Sequence, residues 1–347
     1  MMKEKILHLL PAAGTFYKAN LHTHTDISDG KLSPEEVKAA YKAHGYQIVA
    51  FTDHEVCIDH SDLNEEGFLA MTSYEMAINC TCPNKTDAKT YHLCLLSKNP
   101  ENTAHVCYDP KYMYVGNCGK YKDQIRVASE AERVFGLECA NEVIRQASEA
   151  GYFVTYNHPN WSLNTREDYM GLRGLWGVEV HNNACKVLGY EDTDPRVWEE
   201  MLRGGIMLNP VAADDFHRPE DGFGGWVMIA AEKLDYPSVV QAMERGDLYA
   251  TTGPEIHSLS LENGKLKITC SAAEQVVVSS AYRRALVQRT EQAEGLTEAE
   301  IDLERWYHEP MDGVRENSYF RVTVYGVDGK KAYTRPFTRE EVKAAFE

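Results

Sequence analysis

Residues 33–54 read SPEEVKAAYKAHGYQIVAFTDH, and the order of elements in that stretch decides the fold. Ser33 can cap a helix, Pro34 suits the first helical position because no amide hydrogen is lost there, and Glu36 stands where a capping-box acid belongs. The helix expected from this start runs to about His44 and stops at Gly45. Next, 47–52, QIVAFT, is an apolar run of strand length that ends directly on Asp53 and His54. A helix feeding a buried strand is the repeating piece of a parallel βαβ fold.

The same grammar recurs on both sides. Upstream, the short strand Asn20-Leu21-His22 delivers His22. Downstream, 139–150 has a helical pattern closed by Gly151, and 152–156 reads as a strand ending at Asn157-His158-Pro159. A strand at 177–180 carries Glu179, 195–203 is helical in pattern, and the strand 206–212 ends at Asp214-Asp215-Phe216-His217. Helix and buried strand in alternation predict an α/β fold with a parallel sheet. Polar residues gather at the carboxyl ends of these strands, where α/β barrels carry their chemistry. Residues 80–136, rich in Tyr, Asn, Lys and Cys, break the rhythm and are expected to form an irregular insertion beside the site mouth.

After Gly253-Pro254 the pattern changes. SLSLENGKLKITC, 258–270, reads as a hairpin turning at Asn263-Gly264. Further strands are expected at 276–279 and 319–325, a turn at Asp328-Gly329, and a helix over 291–307. The expected division is a barrel over 1–255 and a β-rich accessory domain over 256–347.

The 347 residues include 53 acidic and 36 basic ones, for a formal charge of −17. Such a surface repels a nucleic-acid backbone, so a long polynucleotide is not the expected partner, while a small anion can still be held by local cations. No apolar run reaches the ~18 residues of a membrane span, and the first residues show no convincing cleavage region, so neither membrane insertion nor export is expected. Nine cysteines, an odd number, suggest reduced thiols and a cytoplasmic location. Cys80 and Cys82, with Cys94, His105, Cys107 and Cys118 further on, do not have paired CxxC spacing, and free thiols are expected there.

His22 and His24 alternate on a strand, so both imidazoles point to one face and can reach one cation. Asp29 follows in a Ser-Asp-Gly turn that can swing its carboxylate back toward them. His54 ends a buried strand, Glu75 follows an apolar stretch and could bridge two cations, and His92 stands at the mouth of another apolar strand. Pro159 fixes the chain as it leaves the sheet beside His158, and Asp215 and His217 repeat the alternation of His22 and His24, with Asp214 on the other face. Each residue alone fits an ordinary structural role. Taken together they supply nitrogen and oxygen ligands for two or three divalent cations, a donor set that suits Zn, Mn or Fe rather than Ca or Mg.

In their order along the chain, His-Thr-His with Ser-Asp-Gly, Thr-Asp-His, Glu75, His92, Asn-His-Pro and Asp-Asp-Phe-His resemble the polymerase-and-histidinol-phosphatase (PHP) superfamily over about 18–255. The resemblance implies a distorted (β/α)7 barrel and a di- or trinuclear site. It implies a first metal on His22, His24, Glu75 and Asp215, and a second on Glu75, His92 and His158. It implies a third on Asp29, His54 and His217, with Asp29 standing where some members have histidine. The run GDLYATTGP, 246–254, with the β-rich tail after it, is similar to the carbaryl-hydrolase-like branch.

The expected reaction is hydrolysis of a small phosphate ester, a nucleotide or another monoester or diester, by a metal-bridged hydroxide. Arg218 is expected to clamp phosphate, or else to pair with Glu220 or Asp221. His181, two residues after Glu179 and so expected on the same strand face, is a candidate proton donor to the leaving group. A carbamate, ester or amide hydrolase and a non-catalytic metal-binding regulator are the competing readings.

Overall fold

The computed structural model describes residues 6–80, 88–193, 195–308 and 318–347. Helix α1 (Pro34–Ala43) begins as expected: Ser33 accepts from the Glu36 amide, the Glu36 side chain reaches back to the Ser33 amide, and Pro34 fills the first turn. The helix buries Val37 and Tyr41 and breaks at Gly45, whose φ of 76° is a conformation glycine adopts without strain.

Strand β1 (Ile6–His8) pairs with the tail of the chain. The wall around the site is made by β2 (Thr15–Asn20), β3 (Ile48–Phe51), β4 (Leu69–Asn79) and β5 (Thr90–Ser97). After the short parallel pair β6 (Ala104–His105) and β7 (Arg126–Val127), it continues through β8 (Tyr152–Tyr156), β9 (Gly177–Asn182) and β10 (Asn209–Ala213). Neighbours run parallel from β2 to β4 and again from β8 to β10, while β5 is antiparallel to both β4 and β8. The seam between β10 and β2 is not laddered. It closes only above the strands, where Thr23 bridges Phe216, the His24 amide donates to the Phe216 carbonyl at 2.8 Å, and the Asp215 amide donates to the His22 carbonyl at 3.0 Å. Below that point β11 (Trp226–Ala231) takes the free edge of β2, antiparallel, and passes it to β12 (Leu248–Thr251). Seven strands, one reversed and one seam bridged rather than paired, make the expected α/β class and distorted seven-stranded barrel.

Strand β5 lies inside the stretch 80–136 read as irregular. Its eight residues are all buried, so that part of the stretch is barrel wall. The remainder, as far as it is described, is docked onto the barrel by one buried ion pair. Arg133 makes a two-pronged contact with Glu55, Nη1 to Oε1 at 2.9 Å and Nη2 to Oε2 at 2.8 Å, and Nη1 also donates to the Ala77 carbonyl. His105 lies 3.2 Å from Glu55 Oε2, and the Tyr112 ring lies under the guanidinium at 3.7 Å. Gly116, at φ 53°, passes so close to Ser28 that a Cβ would stand 1.9 Å from the Ser28 carbonyl oxygen, and there the Asn117 amide donates to Ser28. The excursion therefore braces the segments that carry Asp29 and His54.

Helices α2 (Leu137–Glu149), α3 (Arg166–Tyr169), α4 (Asn183–Val187), α5 (Arg196–Arg203) and α6 (Tyr236–Arg245) connect or cover the wall. The expected helix at 139–150 is α2 and that at 195–203 is α5. The tail is β-rich, as expected: β13 (Ile256–Glu262) and β14 (Lys265–Ser280) turn through Asn263 and Gly264, both at positive φ. Strand β14 then pairs with β15 (Ala285–Arg289), β16 (Leu296–Asp302) and β17 (Tyr319–Gly326). β18 (Lys331–Thr334) joins β17 to β12, so the tail's sheet is continuous with the barrel's edge. The expected helix over 291–307 is not formed. Buried Ala299 and Ile301 alternate with exposed Glu298 and Glu300 along β16, a period of two that pairing with β14 favours over the helical propensity of Glu and Ala, and only Glu304–His308 is helical. The expected strand over 206–212 begins only at Asn209. No helix among the described residues is long and apolar enough to cross a membrane.

Burial opposes the charge on Glu55, yet Arg133 and His105 hold its carboxyl down to about 2 from an ordinary 4.5. A depressed carboxyl pKa adds stability above the unfolded value that fades as pH falls from about 4.5 toward 2. Glu55→Gln leaves Arg133 buried without its partner and should cost about 3–5 kcal/mol by urea denaturation at neutral pH. The variant should also lose less stability than the parent across that acid window. A cost below about 1 kcal/mol, the range of a surface pair, would contradict this role for the ion pair.

Candidate metal centre

The strand ends bring the nine residues singled out in the sequence to one place. His22 and His24 follow β2, His54 follows β3, Glu75 on β4 meets His92 diagonally on β5, His158 follows β8, and Asp215 and His217 follow β10. Asp29 arrives by a turn that Asp53 holds shut. Buried Asp53 accepts from the amides of Thr25 at 2.8 Å and Ser28 at 3.1 Å and from both of their hydroxyls. The acid beside His54 is thus a clasp on the next segment.

Glu75 stands at the centre. Its Oε1 lies 3.2 Å from His22 Nε2, 3.2 Å from His92 Nδ1 and 3.4 Å from His158 Nε2, and its Oε2 lies 3.1 Å from His54 Nδ1 and 3.5 Å from His24 Nε2. Asp215 Oδ1 lies 3.2 Å from His22 Nε2 and 3.1 Å from His24 Nε2. Asp29 faces His54 at 3.7 Å and His217 at 3.5 Å. Their potential ligand atoms fall into overlapping groups. His22, His24 and Asp215 form one, His22, Glu75 and His158 a second, His54, Glu75 and His92 a third, and His24, Asp29, His54 and His217 a fourth.

These groups fit divalent ions. Donors about 2.0–2.2 Å from a four- or six-coordinate ion stand roughly 3.0–3.5 Å from each other, the separations found around Glu75 and Asp215. His24 Nδ1, His54 Nδ1 and Asp215 Oδ1 are buried with no hydrogen-bond partner among the described residues, a cost that a metal bond removes. Burial opposes ionisation of both carboxyls, but the imidazoles around them hold Glu75 and Asp215 well below the usual carboxylate range. The same carboxylates outweigh burial at His158 and raise it to about 9. No cysteine joins a potential ligand group among the described residues, and Cys82 lies outside them.

The supporting residue that sequence reading left without a role is Glu179. Its Oε1 sits 2.7 Å from His22 Nδ1, while Oε2 accepts from the His158 amide at 2.8 Å and from Asn182 Nδ2 at 3.0 Å. One carboxylate thus fixes the ring orientation of His22 and the backbone of His158, leaving Nε2 of each aimed at the cluster. Asn182 also donates to Asp215 Oδ2 at 3.2 Å, and Asn157 to Glu75 Oε1 at 3.2 Å. The signal for Glu179 was an acid on a buried barrel strand. Asp214, read as facing away, does so, accepting from the Tyr41 hydroxyl of α1 and the amides of Phe223, Gly224 and Gly225. Burial pushes its carboxyl up to about 6 against those four bonds.

His181 is not in the site. Val211 pairs with Glu179 but Ala212 pairs with His181, so Val180 is an extra residue in β9. This bulge cancels the period-two reading that set His181 on the face of Glu179. His181 lines a separate cavity, and burial, with Lys186 nearby, lowers it to about 4. Arg218 lines the cavity over the cluster, of about 320 Å³, and its Nε contacts Asp221 at 3.3 Å, the ion pair that was the alternative reading. Lys31, Trp161 and Leu188 complete that mouth.

Residues 20–152 match the family model of the PHP domain. Among solved structures the chain is similar to a two-domain protein from Bacteroides vulgatus containing a predicted PHP-like metal-dependent phosphoesterase. The two are 16% identical over 97% of this chain and 99% of that one, with a TM-score of 0.45. It is also similar to an amidohydrolase from Chromobacterium violaceum with bound sulfate and no metal, 17% identical over 58% of this chain and 88% of that one, with a TM-score of 0.38. A comparison with curated proteins returns no match.

Metal entry into such a cluster displaces protons from imidazoles, so at pH 7 zinc added to chelator-stripped protein should release protons and bind more weakly as pH falls. Calorimetry in buffers of differing ionisation enthalpy measures this, and proton-neutral, pH-independent binding would contradict it. Glu179→Gln should weaken zinc binding by about 10–100-fold. An unchanged affinity would remove Glu179 from the site's support.

Proposed function

We propose that the chain, whose residues 20–152 match the PHP domain, is a metal-dependent hydrolase of small phosphate esters, using two or three Zn, Mn or Fe ions. The observation that carries the reading is Glu75 and Asp215 ringed by imidazoles at the floor of a cavity whose rim holds Arg218 and Lys31. His22, His24, Glu75 and Asp215 would hold one ion, Glu75, His92 and His158 a second, and Asp29, His54 and His217 a third. Bound divalent ions supply Lewis acidity and water acidic enough to attack near neutral pH.

The rest falls to the chain's own residues. Arg218 and Lys31 offer guanidinium and ammonium donors to the phosphoryl oxygens that gain charge as the ester bond breaks. Trp161, whose ring packs edge-on to His158 at 5.0 Å, and Leu188 present an apolar wall to the organic part of the ester and keep bulk water from that side. Asp192 fixes this wall by accepting from the amides of Asn160 and Trp161. A cavity of about 320 Å³ admits a small ester and no folded polymer.

Metal-loaded protein should hydrolyse aryl phosphates in preference to matched aryl carboxyl esters and carbamates. His158→Ala should lower that activity at least about 100-fold with the thermal midpoint retained. Arg218→Ala should raise KM for the phosphate substrate while leaving turnover of a carboxyl ester unchanged. Full activity of His158→Ala would sink the assignment, and preference for the carboxyl ester or carbamate would transfer the same site to that bond.

A further inference from the structure

A second cavity of about 470 Å³ opens beside the first and shares no lining residue with it. Helix α4 stands between them, giving Ala184 and Cys185 to the metal-site cavity and Lys186 to the other. The second cavity lies where the barrel meets the β17–β18 turn of the tail. In a chain with 53 acidic and 36 basic residues, its walls hold Lys18, Lys186, Lys330 and Lys331 and, among the described residues, no carboxylate.

Lys18 and Lys331 lie over aromatic rings, while Lys330 pairs with an exposed carboxylate. Lys18 is the most enclosed. Its ammonium sits 4.0 Å from the Tyr46 ring and 4.1 Å from Trp226, and donates to the His44 carbonyl at 3.2 Å. The Lys331 ammonium lies 5.3 Å from the Tyr325 ring, and Lys330 contacts exposed Asp328 at 3.4 Å. Four ammonium groups around one cavity favour an anion there, although Asp214 and Glu255 act on Lys18 and Asp328 on Lys330.

His181 supplies the independent observation. The bulge in β9 turns its ring into this cavity, and the residue is only 5% exposed. Its Nε2 has no hydrogen-bond partner among the described residues. A buried ring nitrogen left bare is costly, and a ligand's oxygen or hydroxyl in the cavity removes that cost.

We propose that this cavity is a binding site for a small phosphate-bearing molecule, separate from the metal centre. Lys18 and Lys186 take the phosphoryl oxygens, His181 Nε2 pairs with a hydroxyl or phosphoryl oxygen, and Trp226 packs on the carbon skeleton. The site stands whether or not the metal centre hydrolyses phosphate esters.

The test is a calorimetric titration of the metal-loaded protein with inorganic phosphate, with tryptophan fluorescence followed in parallel. The unaltered protein should show two classes of phosphate site. Lys18→Gln with Lys186→Gln should weaken one class at least about tenfold and leave the other, and the metal content, unchanged. Arg218→Ala should weaken only the class that the lysine variant keeps. Lys186→Gln alone, on an exposed helical surface, guards against misfolding and should weaken the same class by a smaller factor. A lysine-variant isotherm that superimposes on that of the unaltered protein, or a single class of site abolished by Arg218→Ala, would overturn the proposal.

Discussion

The structure depends on keeping Glu75 ionised although it is buried. A carboxylate taken out of water is strongly disfavoured unless positive or hydrogen-bonding groups surround it. Here five imidazoles approach its two oxygens, and Asn157 adds an amide. Those imidazoles come from segments far apart in the chain, so the barrel must close around Glu75 for it to stay charged once buried. The same crowding leaves ring nitrogens and a carboxylate oxygen bare, which a cation satisfies better than any proton.

The barrel meets this demand by departing from a regular (β/α) wall. Reversing β5 sets His92 opposite Ala77 and beside Glu75 on the paired β4. Leaving the β10–β2 seam without a ladder lets Thr23 and Phe216 bridge, which interleaves His22, His24, Asp215 and His217 at one spot. Asp53, Asp214 and Glu179 then act as three buried clasps, each accepting several hydrogen bonds from the segments that carry the cluster. The long excursion after β5 adds a fourth brace through Glu55 and Arg133.

Much of this was legible in the sequence because histidines and acids at strand ends follow from local patterns: a capped helix, a buried run, then a polar pair. The PHP match over 20–152 begins at the first of those strand ends. What was not legible turns on events without a local signal. The β9 bulge at Val180 flips His181 away from Glu179, and no periodicity in one strand announces a register shift set by its neighbour. Glu179 itself reads as any buried acid until the fold puts His22 against it. Residues 296–302 have helix-forming composition, but pairing with β14 decides their state. The stretch 80–136 looked irregular because its composition is polar, which hid a fully buried wall strand near its start.

The most direct test of the central claim is the metal content of the purified protein, read by elemental analysis beside that of Glu75→Ala. The account predicts at least two equivalents of Zn, Mn or Fe per chain, falling by at least one equivalent in the variant. A protein free of metal after loading, or a variant that retains the full complement, would contradict it.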